Sequence, residues 1–119
     1  HYAQKYGLIY FKGKFDIALA KLKYLSKDYE GAQHHCLSAN SIFLKSGNVD
    51  DIVSCFVLLG ITTLKMGYVT IALNYFIQGD NILNENNHMD ENLKAKIFYY
   101  IAFCYFKTGK LQQAIDYAL

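Results

Sequence analysis

The chain has no proline, no tryptophan and no arginine, and all 12 of its basic residues are lysine. Without arginine, bidentate recognition of guanine or phosphate is excluded. Against 10 acidic residues the net charge is only +2, and the lysines form no basic stripe, so contact with nucleic acid is not expected. Three cysteines are an odd number with no tight framework, which argues against a disulfide-stapled secreted domain and for a reducing, cytosolic compartment. The longest unbroken apolar run, 97–106, falls well short of the roughly 20 residues a membrane span requires, and no signal-peptide pattern precedes it. Charged residues make up only 18% of the chain, while 53% of its 119 residues are hydrophobic. That composition can offset the entropy of ordering, which excludes wholesale disorder. The length suits one domain with a modest core. Because the chain begins at His1 without methionine and stops at Leu119 inside a helical pattern, it is expected to be a piece of a larger protein.

What is present is apolar spacing of three and four residues almost throughout, the mark of amphipathic helices; no stretch alternates as a strand would. Residues 28–46 place Tyr29, Ala32, Cys36, Ala39 and Phe43 on one face. Before them, 14–27 carries Phe15, Ala18, Leu19, Leu22 and Leu25, read as a core face, and 6–11 forms a separate apolar stretch with Gly13 between the two. Ser46, Gly47 and Asn48 read as a left-handed helix stop, with Asp50 and Asp51 suited to the next N-terminus. Further helices are expected up to Met66, over 68–83, from Asp90 to Lys107 and from Lys110 onward, separated by Gly67, the polar turn 84–88 and Gly109. The expectation is seven helices joined by short connections, so that sequence neighbours form antiparallel hairpins.

Comparing the chain with itself reveals a repeat. Residues 64–69, reading Leu-Lys-Met-Gly-Tyr-Val, align with 106–111, reading Phe-Lys-Thr-Gly-Lys-Leu, at an offset of 109 − 67 = 42, and each is followed by alanine, at Ala72 and Ala114. Upstream, Phe56, Leu59, Gly60 and Thr63 correspond to Phe98, Ile101, Ala102 and Tyr105.

On these residues the chain resembles the tetratricopeptide repeat family, whose pattern is aromatic-x-x-Leu-Gly-x-x-Tyr on one helix and Ala-x-x-x-Phe on the next. Phe56, Leu59, Gly60, Ala72 and Phe76 fill the pattern in the middle copy, and Phe98, Ile101, Ala102, Tyr105 and Ala114 in the last. A more degenerate first copy uses Leu19 and Ala20, then Ala32, Cys36 and Ala39. The resemblance implies an all-α fold, a single array over 1–119 stacked as a right-handed superhelical solenoid, with hairpins at approximately 14–46, 50–84 and 91–119. Two features depart from the family: a spacing of about 40 rather than 34 residues, and no closing proline. Helices approach closely only where their crossing carries small side chains, so Ala20, Ala32, Gly60, Ala72, Ala102 and Ala114 read as packing points.

In the family the first helix of each pair lines a concave surface that binds peptides or partner helices. By alignment the inner positions are Ile17, Lys21 and Tyr24, then Val57, Ile61 and Leu64, then Tyr99, Phe103 and Phe106, with Lys65 and Lys107 at the lip. Two readings stand side by side. In one, the surface is a groove for a peptide with apolar anchors, its lysines meeting a carboxylate. In the other, the apolar residues pack on a neighbouring helix and the lysines only complement helix C-termini. The polar clamp of chaperone-binding members is missing, since asparagine and arginine are absent from the inner positions. The spacing and the lysine-, isoleucine-, asparagine- and tyrosine-rich texture look more like the cytosolic peptide-pheromone receptors of low-GC Gram-positive bacteria. Those quorum-sensing regulators often carry an upstream helix-turn-helix domain, which is not visible in this chain.

Chemistry has little foothold. His34, His35 and Cys36 are adjacent, but neighbours on a helix diverge by about 100°, and a zinc site would need His88 or Cys55 to arrive from elsewhere. No phosphate loop or serine elbow occurs, so no catalytic residue, metal or cofactor is expected. The aromatic run 98–106 reads either as a helix buried within the array or as a homodimer interface. The expected function is a non-catalytic peptide- or protein-binding module, the ligand-sensing part of a regulator, without membrane contact. The alternatives are a structural scaffold or assembly repeat and, behind it, an enzyme accessory domain.

Overall fold

The structure, a computed structural model, describes residues 2–87 and 90–118. Six helices run in sequence: α1 (Tyr2–Leu25), α2 (Tyr29–Ser46), α3 (Val49–Lys65), α4 (Val69–Glu85), α5 (Glu91–Lys107) and α6 (Leu111–Ala118). There is no strand among the described residues. Packing is chiefly between consecutive helices, which gives an open array measuring 54 × 34 × 18 Å. The 18 Å dimension is close to the thickness of two helix layers, each about 10 Å across.

The chain reverses by one device, used three times. Lys27, Gly67 and Gly109 adopt left-handed backbone, with φ of 66°, 91° and 79°. The next residue then donates its N–H five residues back: Asp28 to Lys23 O (2.8 Å), Tyr68 to Thr63 O (3.1 Å) and Lys110 to Tyr105 O (2.8 Å). This satisfies the orphan carbonyls of each first helix and turns the chain into the second. Gly47, at φ 74°, ends α2. Side chains of Asp28, Asn48 and Asp90 then cap α2, α3 and α5 by accepting from Gly31, Asp51 and Leu93 N–H.

The three left-handed positions set the repeat register at 67 − 27 = 40 and 109 − 67 = 42 residues. Ala32, Ala72 and Ala114, each five residues beyond its turn, are all buried. Ala20 and Gly60, each seven residues before it, are buried too. Ala102, their counterpart, is half-buried.

At Gly60 a Cβ would lie 2.5 Å from the Phe76 ring. The corresponding pair in the first hairpin is Ala20 and Cys36, both fully buried in one cluster. A second exchange runs the other way: at Gly13 a Cβ would lie 2.9 Å from the Phe43 ring, and the corresponding pair is Val53 and Leu83. Each of the first two hairpins therefore places a glycine where a phenyl ring lies opposite, and a bulkier residue where it does not.

This corrects the reading of the N-terminal third. Gly13 does not separate two helices, so there are six described helices rather than seven, and the first hairpin begins before residue 14. The glycine lies inside continuous α1, where the Phe43 ring needs the space. The face of α1 turned to the core carries Gly13, Asp16 and Ala20, whereas Phe15, Ala18, Leu22 and Leu25 point outward. The aromatic run of α5 is likewise not covered on all sides. Ile97, Ile101 and Cys104 are buried, while Phe98, Tyr99 and Phe106 are exposed, since α5 has α4 and the short α6 as its neighbours. The helix surrounded on most sides is instead α3, which contributes to both core clusters.

One buried charge ties α1 to α2. Asp16 accepts from Lys12 (2.9 Å) and Ser38 (2.8 Å) and meets His35 Nδ1 at 3.2 Å. Burial alone would raise its pKa, but these hydrogen bonds outweigh that effect and hold the carboxyl below its usual range.

Gly60→Ala is expected to destabilise the chain by about 1–3 kcal/mol in denaturant melts, although alanine is the better helix former. Adding Phe76→Leu should cost less in that background than in the native chain, and strictly additive losses would refute the contact. For Asp16, the lowered folded pKa means its contribution is present above the unfolded carboxylate pKa of about 4 and is lost as pH falls through the lower folded value. Asp16→Asn should accordingly narrow the stability difference between pH 6 and pH 3, measured by thermal melts at both.

Candidate functional site

The turn geometry aligns the C-terminal halves of the three first helices along one side of the array. There α1, α3 and α5 enclose a groove of about 550 Å³. Its walls are Tyr24 from α1; Ile61, Leu64 and Lys65 from α3; Gly67 from the following turn; Val69 from the start of α4; and Tyr99, Tyr100, Phe103 and Lys107 from α5.

Seven of the eleven inner and lip residues named from the sequence meet here: Tyr24, Ile61, Leu64, Lys65, Tyr99, Phe103 and Lys107. Val57 does not. It is 4% exposed and belongs to the core with Ile97 and Ile101, one turn before Ile61 and rotated toward the neighbouring helices. Phe106 is exposed but does not line the groove. Ile17 packs half-buried against the first core cluster, and Lys21 is exposed outside the groove.

Sequence reasoning missed three lining residues. Gly67 reads from the sequence only as a turn, and Val69 only as part of the repeat alignment. Tyr100 was legible as the neighbour of Tyr99 but was absorbed into the aromatic run. Its ring stacks on Phe76 at 4.9 Å and 5°, so the core residue opposite Gly60 also supports the groove wall. Burial, followed by the nearby Tyr24 and Tyr99 phenols, pushes the Tyr100 hydroxyl above its ordinary pKa, so it remains a neutral donor at physiological pH. Lys107 Nζ lies 5.5 Å from the centre of the Phe103 ring, which holds the cation against the α5 wall.

The lining thus combines apolar side chains, three phenol hydroxyls and two ammonium groups. It offers anchors for apolar side chains and donors for carbonyl or carboxylate oxygens.

Other chemistry-bearing residues do not converge. His34 is exposed, His35 contacts Asp16, and Cys36 points into the core. His88 lies outside the described residues. Among the described residues no group of three His, Cys, Asp or Glu is arranged to hold a metal ion. No described helix is long and apolar enough to cross a membrane. Burial pushes the thiols of Cys36 and Cys55 up to about 12 and that of Cys104 up to about 11, so at neutral pH all three are protonated and poorly nucleophilic.

No family model and no curated protein matches the chain in sequence. A solved structure does match in fold. The crystal structure of the TPR domain of Arabidopsis FLU is similar at a TM-score of 0.83 and 16% identity, covering 89% of this chain and 87% of that one. The fold is therefore that of a tetratricopeptide-like helical repeat, all-α, with the groove on the side of the first helices.

Iodoacetamide should leave the three thiols of the native chain largely unmodified over a time in which 6 M guanidinium exposes all three to reaction, as counted by mass spectrometry. Rapid native labelling of Cys36 would contradict its placement in the core.

Proposed function

We propose that the chain is a non-catalytic recognition module that holds a short peptide segment in the groove between α1, α3 and α5. One observation carries the reading: seven residues from three helices, spread from Tyr24 to Lys107, converge on a single lining whose apolar walls end in two lysines. Its volume lies in the range of pockets that enclose a small ligand, which corresponds to a few residues of peptide. Tyr99, Phe103, Ile61 and Leu64 receive apolar side chains, the phenols donate to peptide carbonyls, and Lys65 and Lys107 neutralise a carboxylate of the ligand.

The exposure of Tyr99 favours a ligand over a purely architectural role. An aromatic ring left 64% open beside a groove contributes little to holding the array together. The protonated thiols and the fold support a binding rather than a catalytic role. Within that reading, the resemblance of spacing and texture to bacterial peptide receptors supports the ligand-sensing part of a cytosolic regulator. The free, buried cysteines agree with a reducing compartment.

A panel of synthetic hexapeptides ending in Leu or Phe with a free carboxylate, read by fluorescence anisotropy, tests this. Binders should lose at least about tenfold in affinity with Tyr99→Ala, with the pair Lys65→Ala and Lys107→Ala, and when the peptide C-terminus is amidated, each polar or aromatic contact being worth about 1–2 kcal/mol. Helicity should be unchanged in Tyr99→Ala. Lost helicity would assign that ring to the core, and undiminished binding in all variants would remove the groove from the function.

A further inference from the structure

The side of α1 opposite its core face carries Leu8, Phe11, Phe15, Ala18, Leu22 and Leu25, an unbroken alternation of three- and four-residue steps. The five large side chains are 63–76% exposed. The repeat register shows what such a face is built for. Phe15 and Leu22 correspond to Cys55 and Thr62 of α3 and to Ile97 and Cys104 of α5, all four fully buried. Cys55 packs with Cys36, Ala39 and Phe43 of α2, and Ile97 and Cys104 pack with Phe76 and Leu83 of α4. The α1 stripe therefore occupies the position that in both later hairpins is covered by a helix.

We propose that a second copy of this chain covers it, the two α1 helices pairing antiparallel about a twofold axis between residues 16 and 17. Three features favour a second copy. First, the stripe exceeds what a junction between hairpins uses. Leu8 corresponds to the caps Asn48 and Asp90, and Leu25 to the exposed Lys65 and Lys107, so the apolar seam of the 24-residue α1 continues where the 17-residue α3 and α5 turn polar. Strict three–four alternation is also the spacing of a coiled-coil seam.

Second, the seam complements itself by size. In the antiparallel register Leu8 meets Leu25 of the partner subunit, Phe11 meets Leu22 of the partner subunit, and the Phe15 ring meets Ala18 of the partner subunit, the smallest side chain of the stripe. Third, covering the stripe on both copies removes on the order of 1,500 Å² from water, the size of a specific interface. Lys12 and Lys14 beside it are already paired with Asp16 and Asp51 of their own chain. Salt, which screens the exposed Lys21, therefore strengthens the association rather than weakening it.

Light scattering after size exclusion at about 100 μM should give twice the 13.6 kDa chain mass. Phe15→Glu with Leu22→Glu should return the monomer, at least about 100-fold weaker in association, with helicity unchanged because both positions are exposed in the single chain. Leu111→Glu, at the far end of the array, should leave the dimer intact. Under mild oxidation, mixed Phe15→Cys and Ala18→Cys chains should form the hetero-disulfide in preference to either homo-disulfide. A monomeric native chain would overturn the proposal and leave the stripe to a helix of another segment or protein. So would a dimer that survives the double glutamate variant. Preferential 15–15 cross-linking would overturn the antiparallel register. Peptide binding in the groove is read separately, so either proposal can fail without the other.

Discussion

Everything in the array depends on how closely two helices of a hairpin can approach. A phenyl ring at the crossing is admitted only because the facing helix carries no side chain there: Phe76 over Gly60 in the second hairpin, Phe43 over Gly13 in the first. A glycine inside a helix costs about 1 kcal/mol in propensity, so its presence implies a compensating contact. The ring supplies it. The contact reaches further, because Phe76 also stacks on Tyr100 and so connects the α3–α4 crossing to the groove wall formed by α5. Packing and the groove wall share a side chain at that point.

The sequence was legible wherever one residue type has one physical use. Gly67 and Gly109 adopt φ values that other residues avoid, and both turns lie where they were expected. Asp28 and Asp90 head the helices expected to begin with them and cap them, whereas Asn48, read as part of the preceding stop, caps α3. Repeat alignment then gave the small packing positions and seven of the groove residues, because the register is carried by the turns rather than by the hydrophobic residues between them.

It was illegible where one symbol has two uses. Gly13 reads as a break because glycine ends helices, yet here it is a contact point, and nothing local separates the two; only the partner ring, 30 residues later, does. The orientation of α1 failed for a related reason. Its two sides both carry apolar residues at helical spacing, and periodicity cannot choose between them. The side that packs is the one holding Gly13 and Ala20, and bulk alone pointed to the other. Val57 and Phe106 were misplaced because alignment fixes register along a helix but not how far round each helix its neighbours reach.

The same angular economy explains how this short array leaves surfaces available for partners. On α5, Ile97, Ile101 and Cys104 face α4, while Tyr99 and Phe103, offset by two residues and so about 200° round the helix, remain outside the core. Those outer residues are not constrained by the jigsaw that fixes Gly60 and Phe76, so they can change with a ligand while the fold persists. In α1 the stripe corresponding to the buried face of α5 is the one left open, and its apolar character is as continuous as that of a buried seam. Among the described residues the array thus leaves at least two apolar surfaces of different kinds uncovered. One is a concave lining with lysines and phenols suited to a chain with a carboxylate, and the other is a flat apolar seam suited only to a helix. Their chemistry makes them non-interchangeable, so the proposed ligand and the proposed second copy would not compete for one surface.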